Sequence, residues 1–273
     1  MSRNTATVDG SKEKRRYLTL LAGTVALIGS LFIGIAAGAV PITLREVFEV
    51  IQGVTQSENY RIIYYIRMPR VICAALTGTN LALAGCILQG ILRNPLADPG
   101  IIGVTAGAGL AAMALMLISP ELTYFVPFAA FGGAVVASIV VFLLAWEHGI
   151  HPLRLILAGV AIAAFFGGGS AALSVFFSDR IQGTVNWMAG GFAGNSWRHV
   201  VMILPYSAVG IVATMCSYRK LNALQLGDDV AASLGLNVER VRFFLLALSA
   251  LLAASAVSVA GLLGFVGLII PHI

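Results

Sequence analysis

Seven stretches of the chain, residues 17–44, 71–92, 99–120, 122–146, 155–178, 199–218 and 243–273, run for twenty or more positions without an Asp, Glu, Lys or Arg. A helix rises about 1.5 Å per residue, so about 20 apolar residues cross a hydrocarbon layer of about 30 Å. Within lipid the backbone N–H and C=O groups must pair inside the segment, which predicts a helix for each stretch. Strands of a membrane barrel would alternate apolar and polar positions over about 10 residues, and the sequence shows no such alternation. The pattern predicts an all-α, polytopic transmembrane bundle with about seven spans. It occupies residues 17–273, behind an N-terminal tail of residues 1–16.

Composition agrees. Of 273 residues, 59% are hydrophobic and 11% charged, with a mean hydropathy of +0.92. A soluble domain carries about 25% charged residues, and a disordered chain needs low hydrophobicity, so both classes are excluded. The net charge of +5 gains meaning from its distribution. With the N-terminus in the cytoplasm and alternating spans, eleven basic residues face inward: Arg3, Lys12, Lys14, Arg15, Arg16, Arg93, Arg154, Arg219, Lys220, Arg240 and Arg242. Six face outward: Arg45, Arg61, Arg67, Arg70, Arg180 and Arg198. That bias predicts a cytoplasmic N-terminus, and the charge then reports topology rather than a nucleic-acid partner. The apolar run after Lys14-Arg15-Arg16 exceeds a signal-peptide core and reads as an uncleaved anchor.

Absent chemistry narrows the function. The sequence holds no GxxxxGK[ST] phosphate loop, no HExxH and no GxSxG nucleophile. Gly107-Ala108-Gly109 echoes a dinucleotide fingerprint but lies in a predicted span after no strand, and His148 with His151 reads as a polar loop rather than a metal site. Cys73, Cys86 and Cys216 show no paired spacing and read as small packing residues. Glycines at Gly34/Gly38 and Gly103/Gly107 fit close helix approach. None of the twelve acidic residues lies in the seven stretches. Ion-coupled carriers usually hold such groups at membrane depth, so energy for transport is expected from outside the bilayer. No enzyme activity and no cofactor are expected.

Four polar segments remain. Arg67-Met68-Pro69-Arg70 precedes a span on the outer side. Its arginines either snorkel at the interface or present two guanidinium forks to an acidic partner. Arg93-Asn94-Pro95-Leu96-Ala97-Asp98-Pro99-Gly100 reads as a tight inner turn, with prolines ending the helix and Asp98 placed to cap the next one. The longest inner loop, about 218–242, contains Leu226-Gly227-Asp228-Asp229-Val230-Ala231-Ala232-Ser233-Leu234-Gly235. Its acidic start and glycine end fit a short helix. Such a helix is too short to stand alone, so it is either a solvated loop or a docking element for a cytoplasmic partner. Residues 182–198 are glycine-rich and polar and read as an outer or re-entrant segment, with Trp187 and Trp197 at the interface.

Taken in order, these segments resemble the FecCD-type permeases of ABC importers. The resemblance rests on RMPR at 67–70, LALAGCILQGILRNPLADPGIIGVTAGAG at 81–109, LILAG at 155–159, NWMAGGFAGNSW at 186–197, LNALQLGDDVAASLGLNVERVR at 221–242 and GLLGFVGLIIPHI at 261–273. It implies a multi-pass protein of the bacterial cell membrane with about ten helices. Its implied partners are a second permease subunit, two cytoplasmic ATPase subunits and an extracytoplasmic binding protein. Arg67 and Arg70 match the arginines that pair with the binding protein. Gly227, Asp228, Ala231, Ala232, Ser233, Leu234 and Gly235 match the coupling helix that docks on the ATPase. Asn94, Pro95, Asp98, Pro99 and Gly100 match the inner-loop motif. The span near 155–178 is implied to line the pathway at the dimer axis, and ferric siderophores are the first expected cargo, ahead of haem and cobalamin. The family continues for about three spans past the PHI at 271–273, so a truncated product is expected, with a seventh span leaving its end outside. An ion-coupled secondary carrier is the rival from another class.

Overall fold

The computed structural model describes residues 5–55, 59–147 and 152–272. Arg3, His148 and His151 lie outside the described residues. Eleven helices appear in order among the described residues: α1 (Thr5–Ala36), α2 (Leu44–Ile51), α3 (Met68–Leu92), α4 (Val104–Ile118), α5 (Val126–Ala145), α6 (Pro152–Phe176), α7 (Gln182–Met188), α8 (Trp197–Gln225), α9 (Asp228–Ser233), α10 (Val238–Ala260) and α11 (Val266–Ile269). A π-helical turn, Ile62–Arg67, runs into α3, and a 3-10 turn, Pro99–Ile102, precedes α4. Among the described residues six segments are long and apolar enough to cross a membrane by length and composition, and Val104–Ile118 is a shorter apolar helix. The protein is an all-α transmembrane bundle. Helix α1 begins at Thr5, inside the stretch read as a tail.

The chain divides into two compact units, one ending at Ile72 and the other starting at Cys73. In the first, Ile35, Ile42, Val47, Val50 and Ile63 form a small core. Helix α2 starts with a reciprocal cap: Thr43 Oγ1 accepts from the Glu46 N–H, and Glu46 Oε2 accepts from the Thr43 N–H at 2.7 Å. Each of these bonds satisfies a donor that a helix start leaves orphaned.

In the second unit α10 is buried over most of its length, with α3, α4, α5, α8 and α9 against it. Two buried hydrogen bonds tie it to α3: Ser249 Oγ donates to the Ala84 carbonyl at 3.0 Å, and Asn80 Nδ2 donates to Ser255 Oγ at 2.9 Å. Lipid supplies little hydrophobic drive between helices, so close packing and such bonds carry the association. Gly107 and Gly133 meet backbone to backbone where α4 crosses α5, leaving no room for a Cβ on either. Gly103, by contrast, serves a turn, with φ of 74°.

The last apolar stretch differs from expectation. Helix α10 ends where Gly261 adopts φ 70°, ψ −158°. The chain then turns back, packing Gly267 against Gly85, the Leu81 carbonyl and Pro99. Gln89 Nε2 donates to the Leu268 carbonyl at 3.1 Å, and His272 Nε2 lies 2.9 Å from the Pro95 carbonyl. Residues 243–272 are therefore most of α10 plus a returning segment, and not one continuous span. Absence of charge marks apolar surroundings and carries no information about a reversal of direction.

Candidate functional site

The expected docking loop resolves into a short, well-defined element. Helix α8 continues to Gln225 and α10 starts at Val238, so both ends of the 218–242 segment read as the inner loop are helical. Between them α9 spans Asp228–Ser233, flanked by Gly227 at φ 121° and Gly235 at φ 82°. Both glycines occupy backbone that side-chain-bearing residues avoid. Ala231 is fully buried, seating α9 on the unit's core, while Ala232, Ser233 and Leu234 are exposed. Leu226 caps the end of α8, Val230 lies on α9 and Leu234 follows its last turn, and they stand 67%, 42% and 63% exposed. These apolar side chains are uncovered at the connection between α8 and α10, beside charged neighbours.

Asp228 anchors this helix. Its Oδ1 accepts from Arg242 Nη2 at 2.7 Å and is also bonded by Arg93 Nη2. Arg93 ends α3 in left-handed backbone, φ 48°, and Arg242 lies in the first turns of α10. The sequence marked Asp228 as a helix-start residue and missed both arginines as its partners. The one available hint was that Arg242 is the last charge before a long apolar run.

The turn at 93–100 is built from its own side chains. Asn94 Oδ1 accepts from the Leu96 N–H at 2.9 Å, and Asp98 Oδ1 accepts from the Gly100 N–H at 2.8 Å. Pro99 opens the 3-10 turn and is buried. The cap expected of Asp98 is there, on the 3-10 turn rather than on α4.

Arg67 requires a correction. The sequence left it either snorkelling at the interface or half of an exposed pair, yet it is 8% exposed. Its Nη1 donates to the Ile35 and Ala36 carbonyls at 2.9 and 2.6 Å, and its Nη2 donates to the Val40 carbonyl at 2.5 Å. The guanidinium closes the C-terminal end of α1, where carbonyls lack helical partners and positive charge is favoured. Gly38 makes that possible, because a Cβ there would lie 2.6 Å from Arg67 Nη2. Arg70 is partly buried, with its Nε unpaired. Arg180 does similar work in the second unit, donating to the Leu117 carbonyl at the end of α4 at 3.2 Å.

The glycine-rich segment at 182–198 forms α7, a double-glycine turn at Gly190 and Gly191, and the Ser196 cap of α8. Two cavities border it. One of about 520 Å³ lies between α4, α6 and α7, lined by Thr105, Met113, Ser170, Ser174 and Thr184 among others. The second, about 390 Å³, lies by Asn186, Trp187, Asn195, His199 and Ser258. Both linings lack carboxylates and lysines. The three cysteines are free, and no cluster of metal-ligating side chains occurs among the described residues.

The FecCD transport family matches residues 26–273. The chain belongs to that family. Among relatives, the Bacillus subtilis (strain 168) Fe(3+)-citrate import system permease protein YfmE is 38% identical over 96% of this chain and 79% of its own length. The iron(3+)-hydroxamate permease FhuG of the same organism is 33% identical, covering 96% and 81%. The cobalamin import permease BtuC of Halobacterium salinarum is 38% identical over 76% of this chain and 56% of its own. A solved structure, described as a metal-chelate type ABC transporter in an inward-facing conformation, superposes with a TM-score of 0.76 at 28% identity, covering 94% and 80%. This FecCD protein is therefore a multi-pass permease subunit of an ABC importer, a transport component and not an enzyme, and such an importer has separate ATPase and substrate-binding partners.

Proposed function

We propose that this permease moves ferric siderophores inward across a bacterial cell membrane by alternating access, with its N-terminus in the cytoplasm. It pairs with a second permease subunit, two ATPase subunits dock on the inner face of that pair, and a binding protein loads substrate from outside. The observation that carries this reading is the exposed Val230 and Leu234 on and beside a short helix seated by the buried Ala231. They offer an ATPase an apolar contact, in a chain whose sequence has no phosphate loop of its own. Helix α6, mostly uncovered, suits the pathway and the second subunit. At the outer side Arg70 is the guanidinium offered to the binding protein, with Arg67 bracing the segment behind it.

The test is reconstitution in lipid with ATPase and binding-protein partners. Leu234→Arg should abolish ATPase association, and retained association would remove the docking role. Ferric siderophores, ferric citrate, haem and cobalamin are then compared for stimulated ATP hydrolysis. Ferric siderophores should stimulate most. Cobalamin is the second reading, favoured by the 38% identity to the halobacterial cobalamin permease, and stimulation by cobalamin alone would select it.

A further inference from the structure

Helix α9 is bounded by two glycines at positive φ, Gly227 and Gly235. These are soft points. A push on α9 from outside the bundle would be absorbed there as a change in backbone torsion unless something else ties the helix down. The Asp228 carboxylate supplies that tie, because its two arginine partners come from different long helices. Arg93 stands at the C-terminal end of α3 and Arg242 near the N-terminal end of α10, so residues 93, 228 and 242 meet on one oxygen. The pairs also differ in character. Asp228 and Arg93 are 46% and 42% exposed, whereas Arg242 is 7% exposed. The Asp228 carboxylate thus joins a buried guanidinium on one long helix to a half-exposed one on another. Beyond the clamp, α3 and α10 are already joined by the Asn80–Ser255 and Ser249–Ala84 hydrogen bonds.

We propose that Asp228 is a positioning residue for energy coupling. By holding Arg93 and Arg242 together it makes α9, α3 and α10 move as one body, so that force applied at α9 reaches the spans instead of being lost at Gly227 and Gly235. This inference rests on the reading of α9 as the ATPase-docking element. It goes beyond that reading by naming which spans receive the motion and through which atoms. Asp229 provides an internal control, since it shares the first turn of α9 and the same helix-dipole position but is exposed.

The experiment uses the chain in lipid with its ATPase and binding-protein partners, and measures association, ATP hydrolysis and substrate moved per ATP. Asp228→Asn should leave association intact and lower substrate moved per ATP about tenfold, within the range usual for site-to-site coupling. Asp229→Asn should change neither, and Asp228→Glu should recover part of the loss. Arg93→Gln, at a half-exposed position, repeats the test without burying an unpaired charge, and combined with Asp228→Asn it should add little further loss. Wild-type coupling in Asp228→Asn and Arg93→Gln, or an equal loss in Asp229→Asn, overturns the clamp. Loss of association in Asp228→Asn also overturns it, by making Asp228 a docking contact. Failure of the docking reading itself is seen separately, as retained association in Leu234→Arg.

Discussion

Arg67, Gly85 and Glu46 show how far a residue's type falls short of its role. From sequence, Arg67 is an outward-facing charge against the positive-inside trend. In the structure its guanidinium serves three carbonyls at the end of α1. Arg67→Ala should destabilise the first unit by about 3 kcal/mol, the scale of buried carbonyls left unpaired, read as a lowered unfolding midpoint in detergent. Arg67→Lys should recover only part, because one ammonium cannot reproduce the fork. Gly85 faces the Gly267 carbonyl with no room for a Cβ, whereas Gly78 on the same helix has open space. Gly85→Ala should therefore cost about 1–3 kcal/mol by overpacking, and Gly78→Ala should be neutral or gain up to about 1 kcal/mol from helix propensity. Glu46 carries a pH signature. Its carboxylate accepts the Thr43 N–H, the Thr43 hydroxyl and the Asn59 amide, which together hold its pKa below the ordinary value. A depressed folded pKa means that the cap's contribution is complete above the unfolded pKa and is lost as pH falls through the folded one. Amide exchange in α2 should accelerate over that acid window, and Glu46→Gln should remove most of the pH dependence.

At the level of elements, the proposed docking role falls on the short helix α9. That a short helix could lie between Gly227 and Gly235 was legible, from an acidic start and a glycine end. Which of its faces is buried was not, because a six-residue helix has too few turns for periodicity to select a side. The structure seats Ala231 in the core and leaves Leu234 outside. Ala231→Leu should accordingly disturb folding, seen as lost expression or aggregation. Leu234→Arg should fold normally and fail only in partner association, as size-exclusion chromatography with the ATPase would show. The turn at 93–100 was legible as a turn, since its prolines and glycine act locally. Its junction with the chain end, through His272 and the Pro95 carbonyl, was not, because those residues are far apart in sequence.

For the whole molecule, the central expectation concerns energy. Uptake in the reconstituted importer should stop when ATP is withheld and persist when ionophores collapse proton and sodium gradients. The opposite pattern would favour an ion-coupled carrier. The outer contact adds a second expectation: binding-protein affinity should weaken with Arg70→Glu and with rising salt, which screens exposed charge pairs. The sequence by itself determined that this protein is an apolar helical bundle in lipid, and which stretches form its long helices. Hydrocarbon imposes that constraint on each segment separately, so composition alone can express it. Only the tertiary structure decided that Arg67 faces inward onto carbonyls, that the chain reverses at Gly261, and that Arg93 and Arg242 meet on Asp228. Each of those depends on which distant backbones approach one another, and no local run of residues encodes such an approach.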